Sequence, residues 1–182
     1  MQKATLTLVL LALAAGPALA DKPKIDYDRE YDFASAKTVQ WAAGDPAANE
    51  LNQKRIVSSV TETLESKGLT FVPEGETADL YVVTHAASGT KQKQKARIGI
   101  GLGKSTSFGG ISVGTSTGGG TRTVKVGTLS IELVDASTGD LVWRADMSET
   151  LSGDEDMDQV IGDAVAGAFR DFPPQDKKKK KN

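Results

Sequence analysis

The sequence predicts an α+β fold: an antiparallel β-sheet with two amphipathic helices packed on one face, plus a Gly-rich hairpin. Three observations predict this class. Short segments alternate apolar and polar residues with period two, which is typical of half-buried strands. Two longer segments repeat apolar residues at helical spacing. Turn signals of the hairpin type separate the strands, and regular strand–helix–strand repeats are not evident.

The chain after its leader begins with two predicted strands and a helix. Residues 25–33 alternate apolar with acidic positions, which predicts a half-buried strand. Residues 37–42 are predicted as a second strand, which a turn at Gly44-Asp45-Pro46 ends. Asn49 can cap a helix that continues to about Lys67.

The middle of the sequence predicts further strands. Residues 69–72 form a short extended segment, and residues 78–86 alternate as a strand. Basic residues and then glycines occupy every second position from Lys91 to Gly103, and three consecutive glycines follow at 118–120. We interpret residues 91–120 as a long, Gly-rich hairpin.

The last third predicts a hairpin and a second helix. Residues 129–133 and 141–147 each place apolar side chains on one face, and residues 135–140 contain turn-forming types. Acidic residues at 154–156 suit the positive end of a helix. Apolar residues then recur at helical spacing from Met157 to Phe169, so we expect a helix there.

The ends of the sequence differ from its centre. Residues 1–20 contain Lys3, an apolar core, helix breakers and the small residues of Ala18-Leu19-Ala20, which predicts a cleaved signal peptide. The apolar core is shorter than the ~30 Å of membrane hydrocarbon requires. We therefore expect a soluble exported protein, periplasmic or secreted, without a transmembrane segment after cleavage. Residues 21–173 would form a single domain, and residues 174–182 a disordered basic tail.

Composition excludes several classes of function. The sequence has no cysteine, which removes disulfides and thiolate nucleophiles, and we expect no lipid-modified cysteine. The single histidine, His85, leaves no pair of imidazoles for a metal. Basic residues number 22 against 24 acidic ones, and several of the basic residues lie in the lysine run at 177–181. The chain outside that run is therefore acidic, and an acidic surface does not predict nucleic-acid binding.

Two motifs suggest chemistry, and each has a plainer alternative. Residues 114–118 match the GxSxG pattern of serine hydrolases around Ser116, but that motif needs a following helix, and strand residues follow here. His85 is the only candidate base, so we do not expect an enzyme. The acidic residues at 26–32 suggest calcium, but Tyr31 stands where such a loop requires glycine. A solvated strand face is the favoured interpretation.

The candidate contact site is a basic stripe formed by Lys91, Lys93, Lys95 and Arg97. On one strand these four side chains share a face. They could bind a polyanion or an envelope protein, or they could prevent an exposed edge strand from pairing with other chains. Both interpretations stay open, and we expect no cofactor and no metal.

Two signatures resemble a known family. The opening IDYD pattern of residues 25–33, followed by residues 37–41, is similar to the start of domain of unknown function (DUF) family 4136. Residues 127–144 are similar to its second signature. The resemblance extends over nearly all of the chain after the leader, and it implies an α+β domain of a small bacterial envelope protein. The family, in which many members are lipoproteins, supplies no catalytic residues to carry over.

These observations lead to three functional hypotheses. The first is a non-catalytic exported module that binds an envelope partner, for example through the Gly-rich hairpin. The second is a carrier of a small amphipathic or anionic ligand, held between the sheet and the helices or along the basic stripe. The third, which we do not expect, is a hydrolase that uses Ser116 and His85.

Overall fold

A computed structural model of the protein describes residues 22–94, 98–99, 114–115 and 121–174. The α+β class is confirmed. The described elements, in chain order, are β1 (Lys24–Tyr27), β2 (Thr38–Trp41), α1 (Glu50–Ser66), β3 (Thr70–Phe71), β4 (Leu80–Gln94), β5 (Ile98–Gly99), β6 (Gly114–Thr115), β7 (Thr121–Asp135), β8 (Leu141–Leu151) and α2 (Met157–Ala168).

The main sheet has six strands in the order β1-β8-β7-β4-β2-β3. Three neighbouring pairs are antiparallel, including the predicted β7–β8 hairpin. The strand β2 instead pairs in parallel with both β3 and β4. This parallel edge was not predicted, and it arises because α1 carries the chain from the end of β2 back to the start of β3.

The first strand is shorter than predicted. β1 ends at Tyr27, whereas the alternation of the sequence extends to residue 33. The Asp28 carboxylate accepts a hydrogen bond from the Glu30 backbone N–H at 2.8 Å, and Asp32 accepts one from Ala34 N–H at 3.1 Å. Such bonds between a side chain and the nearby backbone favour turns over a strand ladder.

Both helices begin at the predicted kind of residue. The Asn49 side chain accepts hydrogen bonds from the N–H groups of Leu51 (2.9 Å) and Asn52 (3.2 Å), which satisfies two free donors of the first turn. Asp156 caps α2 in the same way through the N–H of Asp158 at 3.0 Å. The predicted start of α1 is therefore confirmed.

The two helices lie side by side and run in the same direction. Near their starts, Arg55 Nε lies 2.9 Å from Asp158 Oδ1. Near their ends, Lys67 Nζ donates a hydrogen bond to the Arg170 carbonyl at 3.3 Å. Both N-termini are consequently at the same end of the sheet.

The core lies between the helices and one face of the sheet, which we call the inner face. The opposite face is the outer face. The largest fully buried side chains come from both layers: Trp143, Phe169, Leu64, Leu80, Ile131 and Leu133. This arrangement confirms the prediction of two helices on one face.

The central strands β4 and β7 extend well past the helices. Their register continues without a shift from Leu80 opposite Asp135 to Gln94 opposite Thr121. Residues 87–92 of β4 are all exposed. We call residues 87–94 and 121–128 the arm. The strand predicted at 78–86 is therefore longer than expected, while most of the Gly-rich hairpin lies outside the described residues and stays a prediction.

Candidate functional site

Side chains on the inner face become smaller toward the arm. On β4, the large residues Leu80 and Val82 are followed on the same face by Ala86 and Ser88. On β7 the same face reaches Gly127. Because both helices start beside these small residues, the layers leave space between them that the core does not fill.

That space is a groove of about 360 Å³ between the sheet, the first turns of α1 and the length of α2 from Met157 to Gly167. Its volume lies within the range of small-molecule sites, about 300–1,000 Å³. Ala86, Gly127 and Leu129 form the floor. The apolar lining also includes Ile56, Met147, Leu151, Met157, Val160, Ile161 and Ala164.

Gly127 determines part of the free volume. A Cβ atom at this position would meet Leu151 Cδ1 at 3.5 Å, an ordinary van der Waals contact, so the backbone does not require glycine here. A larger side chain at Gly127 would therefore point into the groove and reduce its volume without a backbone clash.

Polar groups lie at the rim of the groove. The cations of Lys22 and Arg170 line it near the end of α2, and Asn49 lines it at the start of α1. The carboxylates of Glu149 and Asp163 also belong to the lining. An apolar floor with polar groups at the rim suits a molecule with an apolar chain and a polar head.

The outer face carries a chain of charged side chains across neighbouring strands. His85 Nδ1 lies 2.8 Å from Asp45 Oδ2, and His85 Nε2 lies 3.7 Å from Glu132 Oε2. Glu132 Oε1 is 3.0 Å from Arg144 Nη1, and Arg144 Nη2 is 2.9 Å from Asp146 Oδ1. The hydrogen bond from Arg144 lowers the pKa of Asp146. Glu132 is half-buried and its partners are more exposed, so these pairs connect the strands but stabilise the fold only weakly.

The predicted basic stripe is described only in part. Lys91 is exposed on β4 and lines a shallow groove on the outer face, but it does not line the apolar groove. Lys93 belongs to the same strand. Lys95, Arg97 and Ser116 lie outside the described residues, so the structure does not place the stripe as a whole or the pairing of Ser116 with a base.

The described ranges contain neither a metal-binding cluster nor a membrane-spanning helix. Within them, no group of three or more His, Asp or Glu side chains is arranged to hold a metal ion. Neither helix in these ranges combines the length and the apolarity that crossing a bilayer requires.

The residues of the apolar groove were not singled out from the sequence. A signal was nevertheless present, since the inner-face alternation continues past Val82 and Leu129 with small residues in place of large ones. Period-two patterns identify a face but not the element that covers it. Only the packing of both helices against that face shows that the small residues leave a groove.

Solved structures share the fold at low sequence identity. A PDZ domain protein from Parabacteroides distasonis superimposes with a TM-score of 0.54 at 15% identity, over 85% of this chain and 36% of that one. A DUF4136 family protein from Bacteroides thetaiotaomicron gives 0.53 at 14% identity, over 83% and 95% of the two chains. This chain thus spans little more than a third of the first protein and nearly all of the second.

Sequence comparison shows the family. Curated proteins gave no significant match. The family model described as Domain of unknown function (DUF4136) matches residues 23–174, which include every residue of the apolar groove except Lys22. The predicted resemblance is thereby confirmed, and the chain belongs to the DUF4136 family.

Proposed function

We propose that this protein is an exported, non-catalytic binding protein of the bacterial envelope that holds an amphipathic molecule in the apolar groove. The apolar groove itself is the observation that carries the proposal, because its floor is apolar and its polar groups lie at the rim. The leader pattern of residues 1–20 supports export.

The proposed ligand has a single alkyl chain and a polar head. The chain would replace water against Leu129, Met147 and Ile56, and burial of that apolar surface supplies the affinity, at about 25 cal/mol per Å². The head would stay at the rim near Lys22 and Arg170. A carboxylate and a phosphate-bearing head share this chemistry, and the experiment distinguishes them.

We infer that the protein does not catalyse a reaction on this molecule. His85, the single histidine, lies on the outer face and already contacts Asp45 and Glu132. The sheet therefore separates the imidazole from the proposed ligand, which supports a role in holding the molecule rather than converting it.

The test is binding of a fluorescent long-chain fatty acid, displaced by unlabelled fatty acid or by a single-chain phospholipid. Gly127→Val should weaken binding about ten-fold or more, since excluding one side-chain-sized apolar group costs about 1.5–3 kcal/mol. Gly89→Val is the matched control: it places the same side chain on the outer face, where nothing lies within 4 Å of the new Cβ.

Equal losses in both variants, or equal affinity of both with the unchanged protein, would contradict the proposal. Native mass spectrometry of protein purified from cell envelopes provides a second measurement. Bound mass should be present in the unchanged protein and absent after Gly127→Val. Stronger displacement by one competitor would identify the head group.

A further inference from the structure

One edge of β4 has no neighbouring strand along the arm within the described part of the chain. β2 lies beside β4 only from Leu80 to Val82, and a bridge between Asp45 and His85 extends this contact slightly. Among the described residues, no strand lies on this side of β4 along residues 87–94.

Backbone hydrogen bonds show which groups of β4 point toward this edge. The Thr84 carbonyl accepts a bond from Asp45 N–H at 3.0 Å, and Ala86 N–H donates to the Asp45 carbonyl at 2.8 Å. The backbone N–H and C=O groups of even-numbered β4 residues therefore point toward this edge. Because the β4–β7 register has no shift, the N–H and C=O groups of Ser88 and Thr90 face it as well.

Gln92 continues this series by the same register. Ser88, Thr90 and Gln92 are all exposed. Along the described chain, their edge-facing N–H and C=O groups have no backbone partner. Such a row of donors and acceptors is what an added strand requires.

The positive charge of the arm favours an acidic segment as the added strand. The arm contains Lys91, Lys93, Arg122 and Lys125 and neither aspartate nor glutamate. An acidic segment would be attracted to this edge, and a basic one repelled. Two copies of this chain that paired antiparallel about Thr90 would bring their Lys91 side chains near each other, which disfavours a second copy as the occupant.

A shallow groove beside the edge provides room for side chains of the added strand. It lies on the outer face and has a volume of about 890 Å³. Its charged lining consists of four cations and two carboxylates: Lys22, Lys24, Lys91, Arg144, Asp45 and Asp146. Every second side chain of an added strand would project toward this face. Acidic side chains at those positions would meet the exposed Lys91 ammonium group.

We infer that the open edge of β4 binds an extended acidic segment of a partner protein by strand addition. Ser88, Thr90 and Gln92 supply backbone hydrogen bonds, and Lys91 recognises the acidic side chains. This edge adjoins the apolar groove at Ser88, but strand addition to its backbone groups does not require a ligand in that groove.

The test uses two blocked eight-residue peptides, one alternating glutamate with threonine and the other lysine with threonine. The acidic peptide should bind the whole protein at least about ten-fold more tightly than the basic one. Hydrogen exchange should slow at the amides of Ser88, Thr90 and Gln92 when the acidic peptide binds. Lys91→Glu should reduce or reverse the preference between the peptides.

Thr90→Pro provides the sharpest variant. Its missing N–H faces the open edge, so proline leaves the β4–β7 hydrogen bonds intact while it blocks an added strand. Thr90→Val, which keeps the N–H, is the matched control. Binding should be lost in the first variant and retained in the second.

Three results would overturn the inference. They are equal affinity for both peptides, exchange protection elsewhere than on β4, and a homodimer in sedimentation that Thr90→Pro dissociates. The unchanged protein alone decides the first two, so the inference remains testable even if the proline variant fails to fold.

Discussion

Gly44 shows how one residue determines the approach of two segments. An added Cβ at this position would lie 2.2 Å from the Thr84 carbonyl oxygen, far inside van der Waals contact. That same carbonyl accepts the hydrogen bond from Asp45 N–H at 3.0 Å. The turn after β2 can therefore bind β4 only if residue 44 lacks a side chain.

We expect Gly44→Ala to lower the free energy of unfolding by about 2–4 kcal/mol, because the turn must move away from β4 and lose its hydrogen bonds. Urea denaturation followed by circular dichroism measures this change. Gly89→Ala is the control, since its Cβ would meet nothing within 4 Å. Similar stability of the two variants would show that the close approach is not essential.

Tyr31 is a second residue whose surroundings have a measurable effect. Burial, followed by the Asp135 carboxylate, raises the pKa of its phenol from 10.0 to about 12. Because the folded state favours the protonated phenol, Tyr31 stabilises the fold fully below pH 10. This stabilisation is lost as the pH rises toward 12.

An ultraviolet absorbance titration of tyrosinate should therefore contain one late step near pH 12 that Tyr31→Phe removes. Tyr27→Phe serves as the control and should leave that late step in place. If the late step persists in the Tyr31→Phe protein, a group other than Tyr31 produces that step.

At the scale of elements, aromatic stacking joins α2 to the sheet. Trp143 of β8 and Phe169, which follows α2, stack with ring centroids 4.6 Å apart and an interplanar angle of 16°. Phe172 packs edge-on against both rings, at 5.7 Å and 5.5 Å. This cluster fixes the end of α2 on the inner face, as the start of α2 is fixed by its contact with α1.

Phe169→Ala should lower the free energy of unfolding by about 3–5 kcal/mol, because it removes a fully buried ring and leaves a cavity. Phe169→Leu, which retains part of the volume, should cost clearly less. Urea midpoints of the two variants provide the comparison. A loss no larger than that of Phe71→Ala, whose ring is only partly buried, would contradict this role.

At the scale of the whole molecule, several carboxylates connect stability to pH. Hydrogen bonds from the N–H groups of Lys37 and Thr38 lower the pKa of Asp79. The Ser137 hydroxyl and nearby backbone N–H groups lower the pKa of Asp135 to about 2, and the backbone of Ser152 does the same for Glu155. Their stabilising effect is present above the ordinary carboxyl pKa and is lost as the pH falls through the lowered values.

As the pH is lowered from about 4.5 to about 2, the urea midpoint should accordingly fall, with little change between about pH 5 and neutral pH. Asp79→Asn should flatten the acid dependence and lower stability at neutral pH, because the amide is a weaker acceptor for the start of β2. Asp28→Asn is a control at an exposed turn. A midpoint independent of pH across this range would contradict the assignment.

The sequence predicted much of the fold and little of the candidate site. Asn49 and the apolar spacing that follows it indicated α1, and the alternation around residues 129–147 indicated the β7–β8 hairpin, because caps and periodicity are local properties. The premature end of β1 was missed because the carboxylates of Asp28 and Asp32 compete with a ladder that the period-two pattern alone implied.

The sequence by itself determined the class of fold, the family and the absence of cysteine, since each depends on residue types and their local order. Only the tertiary structure decided that β2 joins β4 in parallel, that Ala86 and Gly127 leave a groove, and that β4 extends beyond β2. These features depend on which distant segments pack together and how far each extends, and hydrophobic periodicity contains no information about either.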